Sequence, residues 1–377
     1  MAMRSVKHMD SSLIRDIFEM ASSESLNLGI GMPYCPASVE VKQAIVQALE
    51  DDETFYTPNA GITLLREEVA LRYTYQGEGS VSSENVLITT GAAQGLFLAM
   101  VSLLSPGDTV LLPDPGYPAY RNIARFLGCR IETYGFDYEK MVADSEELFK
   151  KSSKGPRIII LNAPSNPTGA VLTKEQFSEL AVLLEKNDSF AVSDEVYGAL
   201  SYDAPFLSAA GFLPRERTII LSSLSKESAL TGLRVGWCYS DKGVIEKLKT
   251  IHQHMVSCAA SLSQWAAVEA VRRGGERIKT QMGKNRTLME SFLKKIPGFE
   301  FTRPPGGLYF FVNVSAYTAG RPFAEELLKK EQVITVPGEA FGERGGRFVR
   351  ISFGASPADI EEGCRRIRRF VYDITRA

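Results

Sequence analysis

Apolar residues form short unbroken runs through the middle of the chain, and amphipathic stretches separate these runs. An apolar run without polar alternation is typical of a strand that is buried on both faces of a parallel sheet. Helical apolar spacing follows the first run at 92–104 and recurs at 173–186. This alternation predicts an α/β fold. The predicted strands are 86–90, 109–112, 157–161, 190–193 and 218–221.

The pattern changes twice towards the carboxyl end of the chain. Long helical periodicity occupies about 240–290, and a smaller mixed unit begins near 297. We therefore expect a large domain at 42–285 and a small domain formed by 1–41 together with 286–377. Within the small domain the predicted elements are strands at 299–302, 308–314 and 347–353 and a final helix at 357–374.

Composition narrows the classes of function. Of 377 residues, 44% are hydrophobic and 23% charged, and the formal net charge of −2 favours neither nucleic acid nor an anionic membrane surface. Five cysteines without a C-x-x-C pair predict neither disulfides nor a zinc site. No signal peptide or membrane-length apolar run is visible, so we expect a cytoplasmic protein. Histidines number three, too few to favour metal or Ser-His-Asp chemistry, and His252 and His254 are predicted on a polar helix surface.

One lysine stands out through its neighbours. Lys226 follows the fifth predicted strand, with Ser223 three residues before it and Arg234 eight residues after it. Asp194 ends the fourth predicted strand, and Tyr197 comes three residues later. A pyridoxal phosphate enzyme needs a lysine that forms a Schiff base, an acid that partners the pyridine nitrogen, and groups that hold a phosphate. The spacing therefore predicts a pyridoxal phosphate site before it indicates a substrate.

Two further loops follow predicted strands. Gly91, Ala92 and Ala93 open a helix, whose free N–H groups and dipole would hold a phosphate, although an ordinary strand-to-helix turn has the same composition. The proline-rich loop at 162–169 stops a strand and also presents Asn166 as a donor to the cofactor ring oxygen and the substrate carboxylate. Tyr117, in another proline-rich loop that also carries Tyr120, is a candidate for stacking on the ring, with a core or rim tyrosine as the alternative.

These segments together resemble the class I/II aminotransferases of the fold-type I pyridoxal phosphate enzymes. The resemblance covers nearly the whole chain, and each motif occurs in the family's order. The matching motifs are LGIGMP at 28–33, Tyr56 with Gly61 and LRE at 65–67, TG at 90–91, NAPSNPTG at 162–169, DEVY at 194–197, Ser223 with Lys226 and Arg234, PGG at 305–307, VPGEAFG at 336–342 and RIS at 350–352.

The resemblance implies a fold and a set of roles. It implies a large domain with a mostly parallel seven-stranded sheet between helices, plus a smaller α+β domain. Lys226 would carry the cofactor and move the proton, with Asp194 on the pyridine nitrogen. The other implied contacts are Asn166 and Tyr197 at the ring oxygen, Tyr117 on the ring face, Gly91, Ala92, Ala93, Ser223 and Arg234 at the phosphate, Arg350 and Gly31 at the substrate, and Tyr56 at the phosphate of a neighbouring subunit in a homodimer.

The sequence specifies the substrate and the reaction less closely than it specifies the cofactor. Some relatives read a side-chain carboxylate with a lysine where this chain has Ala93, and with an arginine in the stretch at 256–263, which has no basic residue here. Met32 also departs from many relatives near the substrate. A neutral, apolar or aromatic amino acid is thus at least as well supported as aspartate, although Arg121 or His252 are basic residues that would be able to substitute. Transamination is the expected reaction between an L-amino acid and a 2-oxo acid, with β/γ-elimination or cyclisation on the same lysine as the alternative.

Overall fold

The computed structural model of the protein describes residues 13–75 and 81–376. Its helices are α1 (Leu13–Glu19), α2 (Val39–Glu50), α3 (Thr63–Tyr75), α4 (Ala92–Leu103), α5 (Pro118–Phe126), α6 (Ser145–Ser152), α7 (Lys174–Lys186), α8 (Leu224–Glu227), α9 (Lys242–Val256), α10 (Ser261–Arg273), α11 (Glu276–Leu293), α12 (Gly320–Glu331) and α13 (Pro357–Arg376). Its strands are β1 (Leu26–Asn27), β2 (Val86–Thr89), β3 (Thr109–Pro113), β4 (Arg130–Tyr134), β5 (Phe136–Asp137), β6 (Val142–Ala143), β7 (Ile158–Asn162), β8 (Phe190–Asp194), β9 (Thr218–Ser223), β10 (Gly236–Tyr239), β11 (Tyr309–Asn313), β12 (Val333–Ile334), β13 (Val336–Pro337) and β14 (Phe348–Ser352).

Seven strands form the central sheet in the order β2-β10-β9-β8-β7-β3-β4. All neighbours pair in parallel except β10, which runs antiparallel to both β2 and β9. Alternate side chains of β7 enter two different cores: Ile158 and Ile160 pack on one side of the sheet, and Ile159 and Leu161 on the other. The predicted α/β fold with a mostly parallel seven-stranded sheet is therefore confirmed, and the unbroken apolar runs are explained by burial on both faces.

The register of the parallel strands brings polar residues to one edge of the sheet. Asn162 at the end of β7 lies opposite Asp194 at the end of β8, and Asp194 lies opposite Leu221 in β9, two residues before Ser223. Because parallel strands all point their carboxyl ends the same way, the loops that follow them meet in one crevice. This crevice is the place where the fold positions a functional site.

A second sheet of three antiparallel strands, β11-β14-β13, packs in a separate core with α11, α12 and α13. The parallel pair of β1 and β12 ties the N-terminal segment to this unit through Leu26 opposite Val333. The predicted domain boundaries stay a prediction, and residues 1–12 of the predicted small domain lie outside the described residues.

Three sequence-based predictions need correction. The expected strand at 299–302 is wrong, because only Glu300 forms a single bridge, to Asn313, and the apolar alternation reflects Phe299 and Phe301 packing against the core. Tyr120 lies in α5 rather than in a loop, since Pro118 occupies the first helical position, where proline is favoured. His252 is buried instead of lying on a polar surface, because it shares one face of α9 with Ile245 and Leu248. His254 is exposed, as predicted.

Across residues 13–75 and 81–376, no helix combines the length and the apolar composition that crossing a bilayer would need.

Candidate active site

A cavity of about 640 Å³ opens at the carboxyl edge of the central sheet, beside β11 and β14 of the second sheet. It brings together residues that were selected from seven separate stretches of the sequence. The selected residues that line it are Gly31, Ala92, Ala93, Tyr117, Asn166, Asp194, Tyr197, Ser223, Lys226, Arg234 and Arg350. Gly91 and Tyr56 are not among the lining residues: Gly91 lies close to the guanidinium of Arg234, and Tyr56 is 89% exposed.

Lys226 enters the cavity from α8, the short helix that begins directly after β9. Its Nζ donates a hydrogen bond of 2.5 Å to the backbone oxygen of Gly31. Burial lowers the pKa of Lys226, and Arg350 and Arg234 lower it further, against opposing contributions from Tyr309 and Asp194. A lysine amine with a lowered pKa is neutral more often, and the neutral amine is the form that attacks a carbonyl and accepts a proton.

Asp194 ends β8 with its carboxylate held at two points. The Tyr120 hydroxyl donates to Oδ2 at 2.6 Å, and the Val196 amide donates to Oδ1 at 3.3 Å. Burial raises the pKa of Asp194, while the bond from Tyr120 and the nearby Lys226 oppose the rise. A buried carboxylate in this position favours a cationic partner such as a protonated pyridine nitrogen.

The next residue, Glu195, has its own closed set of partners outside the cavity lining. Its carboxylate accepts hydrogen bonds from the hydroxyls of Ser193 and Ser208 and from the Ala209 amide. Burial raises the pKa of Glu195 to about 7 despite these bonds. Two adjacent acids thus have different surroundings, and only Asp194 faces the cavity.

Asn166 and Arg350 form one hydrogen-bonded unit at the side of the cavity that the second sheet supplies. Arg350 Nη1 donates to Asn166 Oδ1 at 2.8 Å, and Nη2 donates to the Gly29 oxygen at 2.6 Å. The guanidinium lies over the rings of Tyr309 and Phe341, 4.1 and 4.7 Å from their centroids. Its Nε is buried and has no hydrogen-bond partner within the described part of the chain. A carboxylate that approached Nε and Nη2 side by side would satisfy that donor.

The side chain of Asn162 holds the loop that carries Asn166 through two hydrogen bonds. The Asn162 side chain donates to the Asp194 backbone oxygen at 3.0 Å and accepts from the Asn166 amide at 2.8 Å. This side chain therefore links the ends of β7 and β8 to the loop. Asn162 is a positioning residue that motif reading did not separate from the rest of the loop.

Two buried tyrosines meet near Lys226. The hydroxyls of Tyr197 and Tyr309 are 2.7 Å apart, and their rings pack edge to face. Tyr309 begins β11 and also contacts Gly31, where an added Cβ would lie only 1.7 Å from the Tyr309 hydroxyl oxygen. Tyr309 was not selected from the sequence, since its partners lie far away along the chain.

The opposite end of the cavity presents donors around the start of α4. Gly91 precedes this helix with φ of 74°, and a Cβ there would lie 2.6 Å from an Arg234 guanidinium nitrogen. Arg234 itself has left-handed backbone geometry and donates to the Thr231 oxygen at 3.0 Å. Neither Gly91 nor Ser223 caps its following helix with a side-chain bond. These groups match a phosphate, because helix-start amides, a hydroxyl and a guanidinium are all donors.

Tyr117 covers the cavity from the start of α5 and packs edge to face on Tyr120, with ring centroids 5.5 Å apart. Tyr120, which bonds to Asp194, joins Asn162 and Tyr309 as a site residue that was given no role from the sequence, and the proline at the start of α5 was the available signal. The donor set of the cavity fits pyridoxal phosphate: a lysine amine, a facing carboxylate and a cradle of donors lie in one space.

Comparison with known proteins identifies the family. The pattern of "Aminotransferase class I and II" matches residues 23–367. The chain belongs to this family. Among its relatives, an aspartate aminotransferase of Pyrococcus horikoshii is 36% identical over 95% of this chain and 94% of its own length. The aromatic-amino-acid aminotransferase 2 of Thermococcus litoralis is 30% identical over 96% of each chain.

Solved structures agree with this assignment. An aspartate aminotransferase from Thermotoga maritima superposes with a TM-score of 0.92 at 29% identity, over 98% of this chain and all of its own. A Methanococcus jannaschii protein, described as similar in its active site to kynurenine aminotransferases, gives 0.90 at 31% identity over 98% and 100% of the two chains. The protein is a pyridoxal phosphate-dependent aminotransferase of fold type I, and the elimination or cyclisation alternative is not favoured.

Proposed function

We propose that this aminotransferase takes an aromatic or apolar L-amino acid as donor and passes its amino group to a 2-oxo acid in a ping-pong cycle. The observation that carries the substrate class is the set of charges in the cavity. The cationic side chains that line it within the described residues are Lys226, Arg234 and Arg350. All three have proposed roles at the cofactor or the α-carboxylate, so no further cation of this lining is left for a side-chain carboxylate.

Other features support the same substrate class. The lining of the cavity includes the apolar side chains of Ile14, Phe18 and Ile30. Arg121, one of the possible substitutes, forms an ion pair of 3.1 Å with Asp114. His252, the other, lies against Asn59 and has a pKa lowered by burial. One relative is named for aromatic amino acids and another for aspartate, and the charges of the cavity favour the former.

We assign the site residues as follows. Bound pyridoxal phosphate supplies an electron sink for the electron pair left when the substrate Cα loses its proton. Lys226 would carry the cofactor and then move that proton as a general base and acid. Asp194 would keep the pyridine nitrogen protonated, and Asn166 and Tyr197 would donate to the ring oxygen, with Tyr117 on the ring face. Arg350 would hold the substrate carboxylate beside Gly31, and Gly91, Ala92, Ala93, Ser223 and Arg234 would bind the phosphate.

The assembly and location are also proposals. Tyr56 and the neighbouring Phe55 project from the chain with 89% and 80% exposure, which supports a homodimer in which Tyr56 reaches the phosphate of the partner's site. We further propose a large domain at 42–285 and a small domain from 1–41 and 286–377. The free cysteines of the chain fit a reducing compartment such as the cytoplasm.

The test is a half-reaction screen. Holoenzyme is mixed with one amino acid at a time, without any oxo acid, and the visible spectrum is recorded while products are identified by mass. We expect phenylalanine, tyrosine or leucine to convert the cofactor to its amine form with release of the matching oxo acid, faster than aspartate does. Faster conversion by aspartate would refute the substrate class, and release of ammonia or a lost side-chain group would refute transamination.

The Lys226→Ala variant provides the control for this screen. It should lose the visible band of the lysine-bound cofactor, and its turnover should fall by at least about 10³-fold, because both the covalent attachment and the proton carrier are removed. Lys242→Ala, at an exposed ion pair with Glu84, is the matched lysine variant and should behave as wild type. Undiminished turnover in Lys226→Ala would show that the site lysine has been misassigned.

A further inference from the structure

Tyr309 contacts three separate parts of the site, although none of the assigned roles includes it. Its hydroxyl is 2.7 Å from that of Tyr197, and its ring lies under the Arg350 guanidinium at 4.1 Å. The same hydroxyl occupies the space that a side chain at Gly31 would need. Tyr309 is only 2% exposed, so these contacts are made away from bulk water.

The direction of the bond between the two hydroxyls follows from counting protons. Each tyrosine hydroxyl has one proton to donate and lone pairs to accept with. If Tyr197 donates its proton to the cofactor ring oxygen, it has none left for Tyr309. Tyr309 must then be the donor within the pair, and Tyr197 the acceptor.

We propose that Tyr309 is a positioning residue that donates its hydroxyl proton to Tyr197 and thereby directs the Tyr197 proton at the cofactor ring oxygen. A hydroxyl that accepts one hydrogen bond donates a stronger one, since the chain of bonds is mutually polarised. The proposal rests on the assignment of Tyr197 to the ring oxygen.

The surroundings hold Tyr309 in this role. Its ring contacts the Arg350 guanidinium and packs edge to face with the Tyr197 ring, and Gly31 leaves room for its hydroxyl. Gly31 therefore serves the tyrosine pair as well as any approach of substrate. The charged groups that act on Tyr197 are Arg350 and Asp194, and the Lys226 amine lies 6.0 Å from the centre of its ring.

The experiment is a pH titration of the visible spectrum of the holoenzyme, without substrate. A hydrogen-bond donor at the negatively charged ring oxygen disperses its charge. The oxygen then stabilises the proton on the nitrogen of the lysine–cofactor linkage less, so the pKa of that nitrogen is lower. The Tyr309→Phe variant keeps the ring on Arg350 and leaves Tyr197 a weaker donor. We expect the spectral midpoint to rise by about half a pH unit in this variant.

Tyr202→Phe is the matched control. Tyr202 is also a mostly buried tyrosine, its hydroxyl donates to the Gly307 oxygen at 2.8 Å, and an arginine, Arg286, lies over its ring at 4.5 Å. It is not part of the cavity lining, so its removal should leave the spectral midpoint unchanged. A comparable shift in both variants would show a general structural effect and overturn the proposal.

The Tyr197→Phe variant distinguishes a failure of the Tyr197 assignment from a failure of the role proposed for Tyr309. This variant should raise the midpoint more than Tyr309→Phe, and the double variant should match Tyr197→Phe alone, since Tyr309 acts through Tyr197. If Tyr197→Phe leaves the midpoint unchanged, the assignment of Tyr197 to the ring oxygen fails, and the proposal fails with it. If Tyr197→Phe shifts the midpoint and Tyr309→Phe does not, or if the two shifts add in the double variant, the role of Tyr309 alone is overturned.

Discussion

The two ends of the cavity are organised in different ways. At the substrate end, Arg350 is 4% exposed, bonded to Asn166 and Gly29, and placed over two aromatic rings. At the phosphate end, Arg234 is exposed, and the helix that starts after Gly91 has no side-chain cap. One end is held in shape by protein groups, whereas the other presents the donors that we propose for the cofactor phosphate.

From this difference we expect the residues at one end to control the substrate KM and those at the other end to control cofactor affinity. A preorganised carboxylate site loses little freedom when substrate binds, so its residues should set the substrate KM. The donors at the phosphate end gain their partners from the cofactor, so they should set cofactor affinity. Substituting one arginine at each end and measuring both the substrate KM and the cofactor affinity tests this contrast directly.

Among the changes that test this contrast, the largest effect is expected for Arg350→Lys. This change keeps the charge but removes the planar fork and the bonds to Asn166 and Gly29, so the KM for the amino donor should rise by about 100-fold. Cofactor affinity, measured by equilibrium binding to the apoenzyme, should stay near wild type. Arg347→Lys, at an exposed arginine three residues earlier, serves as the matched control. Unchanged kinetics in Arg350→Lys would show that the carboxylate binds elsewhere.

A somewhat smaller effect is expected for Arg234→Gln at the other end. Loss of one charge-assisted contact to the phosphate should raise the Kd for pyridoxal phosphate by about 30-fold. Turnover should recover when the cofactor is supplied in excess, which Arg350→Lys would not allow. If excess cofactor fails to restore Arg234→Gln, the two ends are not functionally separate.

The smallest effect is expected on stability and concerns Glu195. Like Arg350, this buried residue is held by protein groups, but it lies outside the cavity lining. Its pKa is raised by burial to about 7, so its contribution to stability is present at low pH and is lost as pH rises from about 4.5 to 7. Each unit of pKa difference between the folded and unfolded states corresponds to about 1.4 kcal/mol, so the free energy of unfolding should fall by about 1 kcal/mol between about pH 6 and about pH 7. Denaturant titrations of Glu195→Gln should show a flatter pH profile. An equally steep profile in that variant would assign the dependence to other groups.

The sequence predicted the elements whose pattern follows directly from burial. The five strands 86–90, 109–112, 157–161, 190–193 and 218–221 read as apolar runs because both of their faces are covered. The two strands of the central sheet that were missed lack this signal: β4 is an edge strand with mostly half-exposed residues, and β10 is four residues long and follows directly after the Lys226 motif. Lys226, Asp194 and Asn166 were found for a similar reason, since each ends or follows a recognisable strand, whereas Gly31, Tyr56 and Arg350 came from the family resemblance.

The missed site residues depend on contacts that no local pattern encodes. Tyr120 reaches Asp194 across 74 positions, and Tyr309 reaches Tyr197 across 112. Such pairs follow from the order of strands in the sheet and from the way the second sheet packs against it. Spacing along the chain therefore identified the cofactor chemistry, whereas the side chains that orient it required the fold.

The bond between Arg350 and Gly29 joins positions 321 residues apart. During synthesis, the chain emerges with Gly29 first, and the lysine, the acid and the phosphate-binding loops all follow before Arg350 exists. Because the contact unites the two ends of the chain, a polypeptide that stops short of Arg350 contains every residue proposed for the cofactor and lacks the one proposed for the substrate carboxylate.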